Sequence, residues 1–82
     1  MNIREALRHG SRMLSAEGGS EEASLEAELL LAHALNTDRT HLYQRLREEL
    51  PDDAANTFEA LLRRRLGHEP TAYILGRKEF YG

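Results

Sequence analysis

Residues 20–35, Ser20-Glu21-Glu22-Ala23-Ser24-Leu25-Glu26-Ala27-Glu28-Leu29-Leu30-Leu31-Ala32-His33-Ala34-Leu35, decide the fold. Leu25, Leu29, Ala32 and Leu35 recur at helical spacing, and Leu30 and Leu31 widen the stripe, so the stretch reads as a central helix. Its apolar arc is too wide for a helix resting on one neighbour, which predicts packing on two sides. Ser20 is placed to cap it, and Glu21 and Glu22 complement the positive end of its dipole.

Upstream, Ile3, Ala6, Leu7, Met13 and Leu14 form another stripe, with Arg4, Glu5, Arg8 and Arg12 outside it. Asn2 and Glu5 have the spacing of a capping box, and Gly18-Gly19 supplies a stop. Gly10 lies inside this helix and costs it up to about 1 kcal/mol relative to Ala, which marks a close helix contact. Downstream, residues 36–40 read as a polar connector in which Thr37, Asp38 or Thr40 caps the next helix. Leu42, Tyr43, Leu46 and Leu50 predict a third helix ended by Pro51. Asp52 or Asp53 opens a fourth, with Ala55, Phe58, Leu61, Leu62 and Leu66 on one face and Gly67 closing it. Pro70 introduces a fifth, very short helix through Ala72, Tyr73, Ile74 and Leu75, stopped by Gly76. Residues 77–82 leave the helical period and read as the start of an extended segment. Ending on Phe80-Tyr81-Gly82 points to a cut in a longer polypeptide.

The composition agrees. Leucine supplies 14 of the 33 apolar residues, isoleucine two and valine none, which favours helix over strand. The expected fold is therefore all-α, a small bundle of about five helices, four longer and one short. Eighty-two residues leave room for one core. With no cysteine there is neither a disulfide framework nor a thiolate site, and no apolar run approaches the roughly 20 residues that span a bilayer. A soluble, cytoplasmic monomer with no membrane contact is the expectation.

Charge is distributed unevenly. Residues 1–62 carry six arginines and twelve acids, a net of −6, whereas residues 63–82 carry Arg63, Arg64, Arg65, Arg77 and Lys78 against two acids, a net of +3. This basic end suits an anionic partner, or it simply places solvated cations at a helix C-terminus. Nucleic-acid binders are normally basic overall, and the total of −3 counts against that class.

Little points to catalysis. His9, His33, His41 and His68 are never four apart, so no helix face pairs two metal ligands. His33, beside the central stripe, reads as a partly buried packing residue, and the others as surface. The carboxylates belong to polar helix faces, the glycines form no phosphate loop, and Ser11, Ser15, Ser20 and Ser24 lack a nucleophile context. No catalytic, cofactor-binding or metal-binding residue is assigned.

One stretch carries more. Residues 63–82, Arg63-Arg64-Arg65-Leu66-Gly67-His68-Glu69-Pro70-Thr71-Ala72-Tyr73-Ile74-Leu75-Gly76-Arg77-Lys78-Glu79-Phe80-Tyr81-Gly82, resemble the end of the N-terminal domain of the HemK/PrmC family of release factor glutamine methyltransferases. There an Arg-rich helix runs into G-x-E-P-x-A-Y-I-x-G-x-x-E-F-Y-G. Residues 25–35 are similar to the family's second helix, D-A-E-x-L-L-x-x-x-L, with Glu26 where Asp is common; Thr71 stands where an apolar residue is frequent.

The resemblance implies a helical substrate-recognition domain over residues 1–76 and, over 77–82, the start of a linker to a methyltransferase domain absent from this chain. It implies methylation of the glutamine of a release factor's G-G-Q motif by that domain, with S-adenosylmethionine as cofactor. The family's N-P-P-Y motif and glycine-rich cofactor loop are missing here, so no catalytic residue transfers. The implied partner is the release factor, with Arg63, Arg64, Arg65, Tyr73, Arg77 and Lys78 as candidate binding residues. The competing reading has Tyr73 and Ile74 seal the short helix against the bundle. Two other functions stay open: a nucleic-acid-binding module, and a structural cap on the methyltransferase domain.

Overall fold

The computed structural model describes residues 1–16 and 20–75, apart from the side chains of Ser20 and Ala72. Five helices follow in order: α1 (Ile3–Ser15), α2 (Ser20–Ala34), α3 (Arg39–Gln44), α4 (Asp52–Leu66) and α5 (Thr71–Leu75). The expectations placed on Gly18, Gly19 and Gly76, on the Ser20 cap and on the extended segment from residue 77 lie outside what is described. Among the described residues the one β-pairing is an isolated antiparallel bridge between Asn2 and Glu49.

The core explains the arrangement. Helix α2 buries Ala23, Ala27, Leu30, Leu31 and Ala32 and packs against α1, α3, α4 and α5, as its wide apolar arc predicts. Onto it α1 brings Ile3, Ala6 and Leu14, α4 brings Ala54, Phe58, Leu61 and Leu62, and α5 brings Ile74. Gly10 is the point of closest approach. A methyl group in its place would sit 2.7 Å from Phe58 Cζ, 3.3 Å from Ala27 Cβ and 3.4 Å from Leu62 Cδ2. Its helix penalty is thus offset by letting α1 settle on α2 and α4.

The start of α1 leaves no backbone donor unpaired. Asn2 N–H donates to Glu5 Oε1 and Glu5 N–H to Asn2 Oδ1, both at 2.8 Å, completing the predicted capping box. Between them, Ile3 N–H donates to the Glu48 carbonyl and Arg4 N–H to the Leu46 carbonyl, both at 3.0 Å. These bonds account for a correction: the third helix ends at Gln44 and does not continue to Leu50. A helix running up to Pro51 would leave its last carbonyls unpaired, because proline has no N–H and disfavours helical backbone before it. Turns over 45–48 instead hand the Leu46 and Glu48 carbonyls to α1, while Leu42 and Leu50 stay buried. The bundle therefore has three long helices and two short ones.

Of the three residues expected to cap α3, Asp38 does so. Its Oδ1 accepts from His41 N–H at 2.9 Å and from the His41 ring at 2.8 Å. The cap of α4 falls on Pro51, with no side-chain bond, and Asp52 and Asp53 occupy its first turn. Glycine does not supply the left-handed residue ending either long helix. Asn36 (φ 56°) ends α2 and His68 (φ 73°) ends α4, and Gly67 stays right-handed at φ −81°. In both, the two following amides fold back onto the last turn: Asn36 on His33 and Thr37 on Ala32; His68 on Arg65 and Glu69 on Arg64.

Replacing Gly10 by Val is expected to destabilise the protein by about 2 kcal/mol through overpacking. Adding Phe58→Leu in that background should recover part of the loss, although Phe58→Leu alone destabilises; urea unfolding of the four-member cycle measures the coupling. The Asp38 carboxyl titrates below its ordinary range, held there first by the His41 amide and then by the His41 side chain. A lowered folded value means this contribution is complete above the unfolded value and lost as pH falls through the folded one. Thermal melts between about pH 5 and 2 should therefore show wild type losing stability relative to Asp38→Asn, which keeps a capping oxygen that does not titrate.

Candidate functional site

Of the basic residues singled out from the sequence, the three described ones, Arg63, Arg64 and Arg65, do not share one face. Successive helical residues point about 100° apart, so Arg63, Arg64 and Arg65 fan around the end of α4. Arg65 turns inward to α2: its Nε donates to Glu26 Oε1 at 3.0 Å and its Nη2 to Glu26 Oε2 at 3.3 Å. Arg65 and Glu26 keep only 29% and 24% of their side-chain surface exposed. Arg64 closes the turn into α5 through a forked bond to Glu69, at 2.9 Å from Nη2 and 3.2 Å from Nε to Oε1. That bond holds the Arg64 guanidinium more firmly protonated than usual. Arg63 is exposed and makes no ion pair among the described residues. Arg77 and Lys78 lie outside the described residues.

Tyr73 and Ile74 divide the two roles considered for them. Tyr73 is 67% exposed beside Arg64, whereas Ile74 is 6% exposed in the core. Ile74 seals α5 against the bundle, and Tyr73 keeps its ring in solvent. Buried at the start of the same helix, the Thr71 hydroxyl finds no hydrogen-bond partner among the described residues.

A different set of cations is available. Arg4, Arg8 and Arg12 are all exposed on α1 at i, i+4, i+8, and none makes an ion pair among the described residues. By contrast Arg39, Arg45, Arg64 and Arg65 each reach a carboxylate. The sequence reading set Arg4, Arg8 and Arg12 outside the apolar stripe without grouping them; their fourfold spacing was the signal. Beside them lies a groove of about 340 Å³ lined by Leu7, Arg8, Ser11, Arg12, Ser24 and Glu28, where the Ser11 and Ser24 hydroxyls share a 3.1 Å hydrogen bond.

Glu28, at the far wall, is already engaged. Arg39 Nε donates to its Oε1 at 2.9 Å and the Tyr43 hydroxyl to its Oε2. Donating that bond to Glu28 raises the Tyr43 pKa above its ordinary value, with desolvation adding to the effect. A second groove, of about 520 Å³, runs past Leu29, Ala32, His33, Thr37 and Leu75. His33 is exposed there and does not pack in the core as expected, since the buried face of α2 passes through Leu30, Leu31 and Ala32. His9, read as surface, is half-buried and donates to Glu59 at 2.6 Å, linking α1 to α4.

Among the described residues no group of three or more His, Cys, Asp or Glu side chains could hold a metal ion, and no helix is long and apolar enough to cross a membrane. Nor do these residues fit S-adenosylmethionine. Gly10 is packed under Phe58 and Gly67 ends a helix, so neither opens a glycine-lined cradle, and neither groove contains a glycine. What the arrangement offers is a packed helical body with a cationic line that no carboxylate pairs among the described residues.

Its class is thus a small all-helical module without a described reaction centre. The chain belongs to the PrmC N-terminal domain family, which matches residues 5–76. It is 42% identical over 80 residues to a release factor glutamine methyltransferase of Moorella thermoacetica, covering 98% of this chain and 28% of that protein. The corresponding protein of Aliivibrio fischeri is 36% identical over 81 residues, covering 99% and 28%. A bifunctional methyltransferase of Rickettsia prowazekii is 53% identical over 57 residues, covering 70% of this chain and 11% of that protein. The chain thus spans less than a third of these relatives' length. No solved structure matches it.

The two roles of the arginines separate by mutation. Arg65→Gln or Glu26→Gln should each cost about 1–2 kcal/mol in denaturant unfolding, since each strands a largely buried charged partner. Arg63→Gln should stay within about 0.5 kcal/mol of wild type.

Proposed function

We propose that this chain is the protein-substrate-recognition part of a release factor glutamine methyltransferase, working in the cytoplasm as a monomer. On this reading residues 1–76 hold the release factor, and the segment from residue 77 leads to a methyltransferase domain. That domain binds S-adenosylmethionine and methylates the glutamine of the G-G-Q loop. The observation that carries the reading is the family match over residues 5–76, combined with coverage of 28% of proteins named as release factor glutamine methyltransferases.

The physical rationale lies in the substrate. An amide nitrogen is a weak nucleophile, and one glutamine on a large protein is a small target. Contacts far from the reacting atom can fix its position and so contribute to the rate without touching it. A rigid module whose core is already packed gives up little conformational freedom on docking.

Removing residues 1–75 from the full-length enzyme tests this. The KM for intact release factor should rise at least about tenfold, with little change for a short peptide carrying the glutamine, as expected when remote binding is lost. A soluble truncated enzyme that handles both substrates as before contradicts the proposal. Aggregation of the truncated enzyme assigns the domain to the role of structural cap.

A further inference from the structure

We infer that the outer face of α1, the line of Arg4, Arg8 and Arg12 with the groove beside it, is the docking surface for an acidic helical segment of the protein substrate. This rests on the recognition reading above and assigns it a surface.

The line is conspicuous for what it lacks. Like charges four apart on a helix repel, costing a few tenths of a kcal/mol per pair. Elsewhere Arg39, Arg45, Arg64 and Arg65 have a carboxylate each, and Arg47 and Arg63, which have none among the described residues, stand singly rather than in a line. The one carboxylate on α1 and the one in the groove wall are engaged: Glu5 accepts from Asn2 N–H, and Glu28 is held by Arg39 and Tyr43. Among the described residues the charges of Arg4, Arg8 and Arg12 therefore contribute nothing to the fold through pairing, and their guanidinium forks can take carboxylates of another chain.

Geometry narrows the occupant. Steps of four residues place the three arginine positions about 6 Å apart and about 12 Å from first to last. A partner helix with carboxylates on successive turns repeats that spacing. Leu7, Ser11 and Ser24 in the groove wall offer such a helix a mixed apolar and hydroxyl bed next to the charges. Charge complementarity favours a protein over a nucleic acid. The cationic line sits in a segment, residues 1–62, whose net charge is −6, so a long phosphate backbone leaving the line meets repulsion, whereas a short acidic segment ends before it.

The test uses the full-length enzyme carrying Arg8→Glu and Arg12→Glu, with Asn56→Glu on α4 as a charge control. Substrates are intact release factor and the short glutamine peptide. The ratio of their KM values should rise at least about tenfold at about 0.1 M salt and fall back towards wild type at about 0.5 M, as screened charge contacts do. Arg8→Gln/Arg12→Gln should lie between, which keeps the test open should the reversed charges impair folding. An unchanged ratio in the arginine variants, with a raised KM for intact factor in the enzyme lacking residues 1–75, removes this surface and leaves the recognition reading standing. An unchanged ratio with no effect of the truncation removes both. Loss of oligouridylate binding in the arginine variants, with release factor kinetics unaffected, also overturns the inference by making the line a nucleic-acid contact.

Discussion

The contact between Gly10 and Phe58 fixes the rotation of α1, and the rest of the surface follows from that rotation. With Gly10 against the α4 ring and Ile3, Ala6 and Leu14 beside it in the core, the opposite face of α1 is the one bearing Arg4, Arg8 and Arg12. At about 100° per residue these arginines centre about 160° from Gly10. A larger residue at position 10 would have to lift or turn α1, moving the cationic line together with the core.

A second constraint holds the same helix from its end. The first-turn amides of α1 take two carbonyls from the segment between α3 and α4, and Leu50 N–H returns a bond to the Met1 carbonyl at 2.9 Å. The chain therefore closes on its own beginning through backbone bonds, which cannot be replaced by changing side chains. Buried Leu50 and half-buried Leu46 anchor this closure to the core.

Much of this was legible in the sequence, and the exceptions share a cause. Five helices, the Asn2–Glu5 box, a cap of α3 at Thr37, Asp38 or Thr40 and the tight packing at Gly10 all follow from local spacing and residue chemistry, and the structure selects Asp38. The end of α3 does not, because Leu42, Leu46 and Leu50 keep helical spacing, and the competing demand comes from amides more than 40 residues away. The basic residues of α4 were misleading for a similar reason: a run of arginines reads as a patch, yet Glu26 on α2 withdraws Arg65 from it. The spacing of Arg4, Arg8 and Arg12 was visible throughout. Its meaning depended on knowing that no carboxylate pairs with it.

On the proposed reading the bundle holds the partner and the cationic line of α1 meets it, while Arg64 and Arg65 of α4 serve the fold. Covalent labelling of arginines with phenylglyoxal, read by mass spectrometry on the full-length enzyme with and without release factor, asks which guanidinium groups are free and which become covered. Arg4, Arg8 and Arg12 should react readily alone and be shielded by the factor, with Arg64 and Arg65 slow in both states. Rapid labelling of Arg64 and Arg65 in the free enzyme, with Arg4, Arg8 and Arg12 unshielded in the complex, would contradict it.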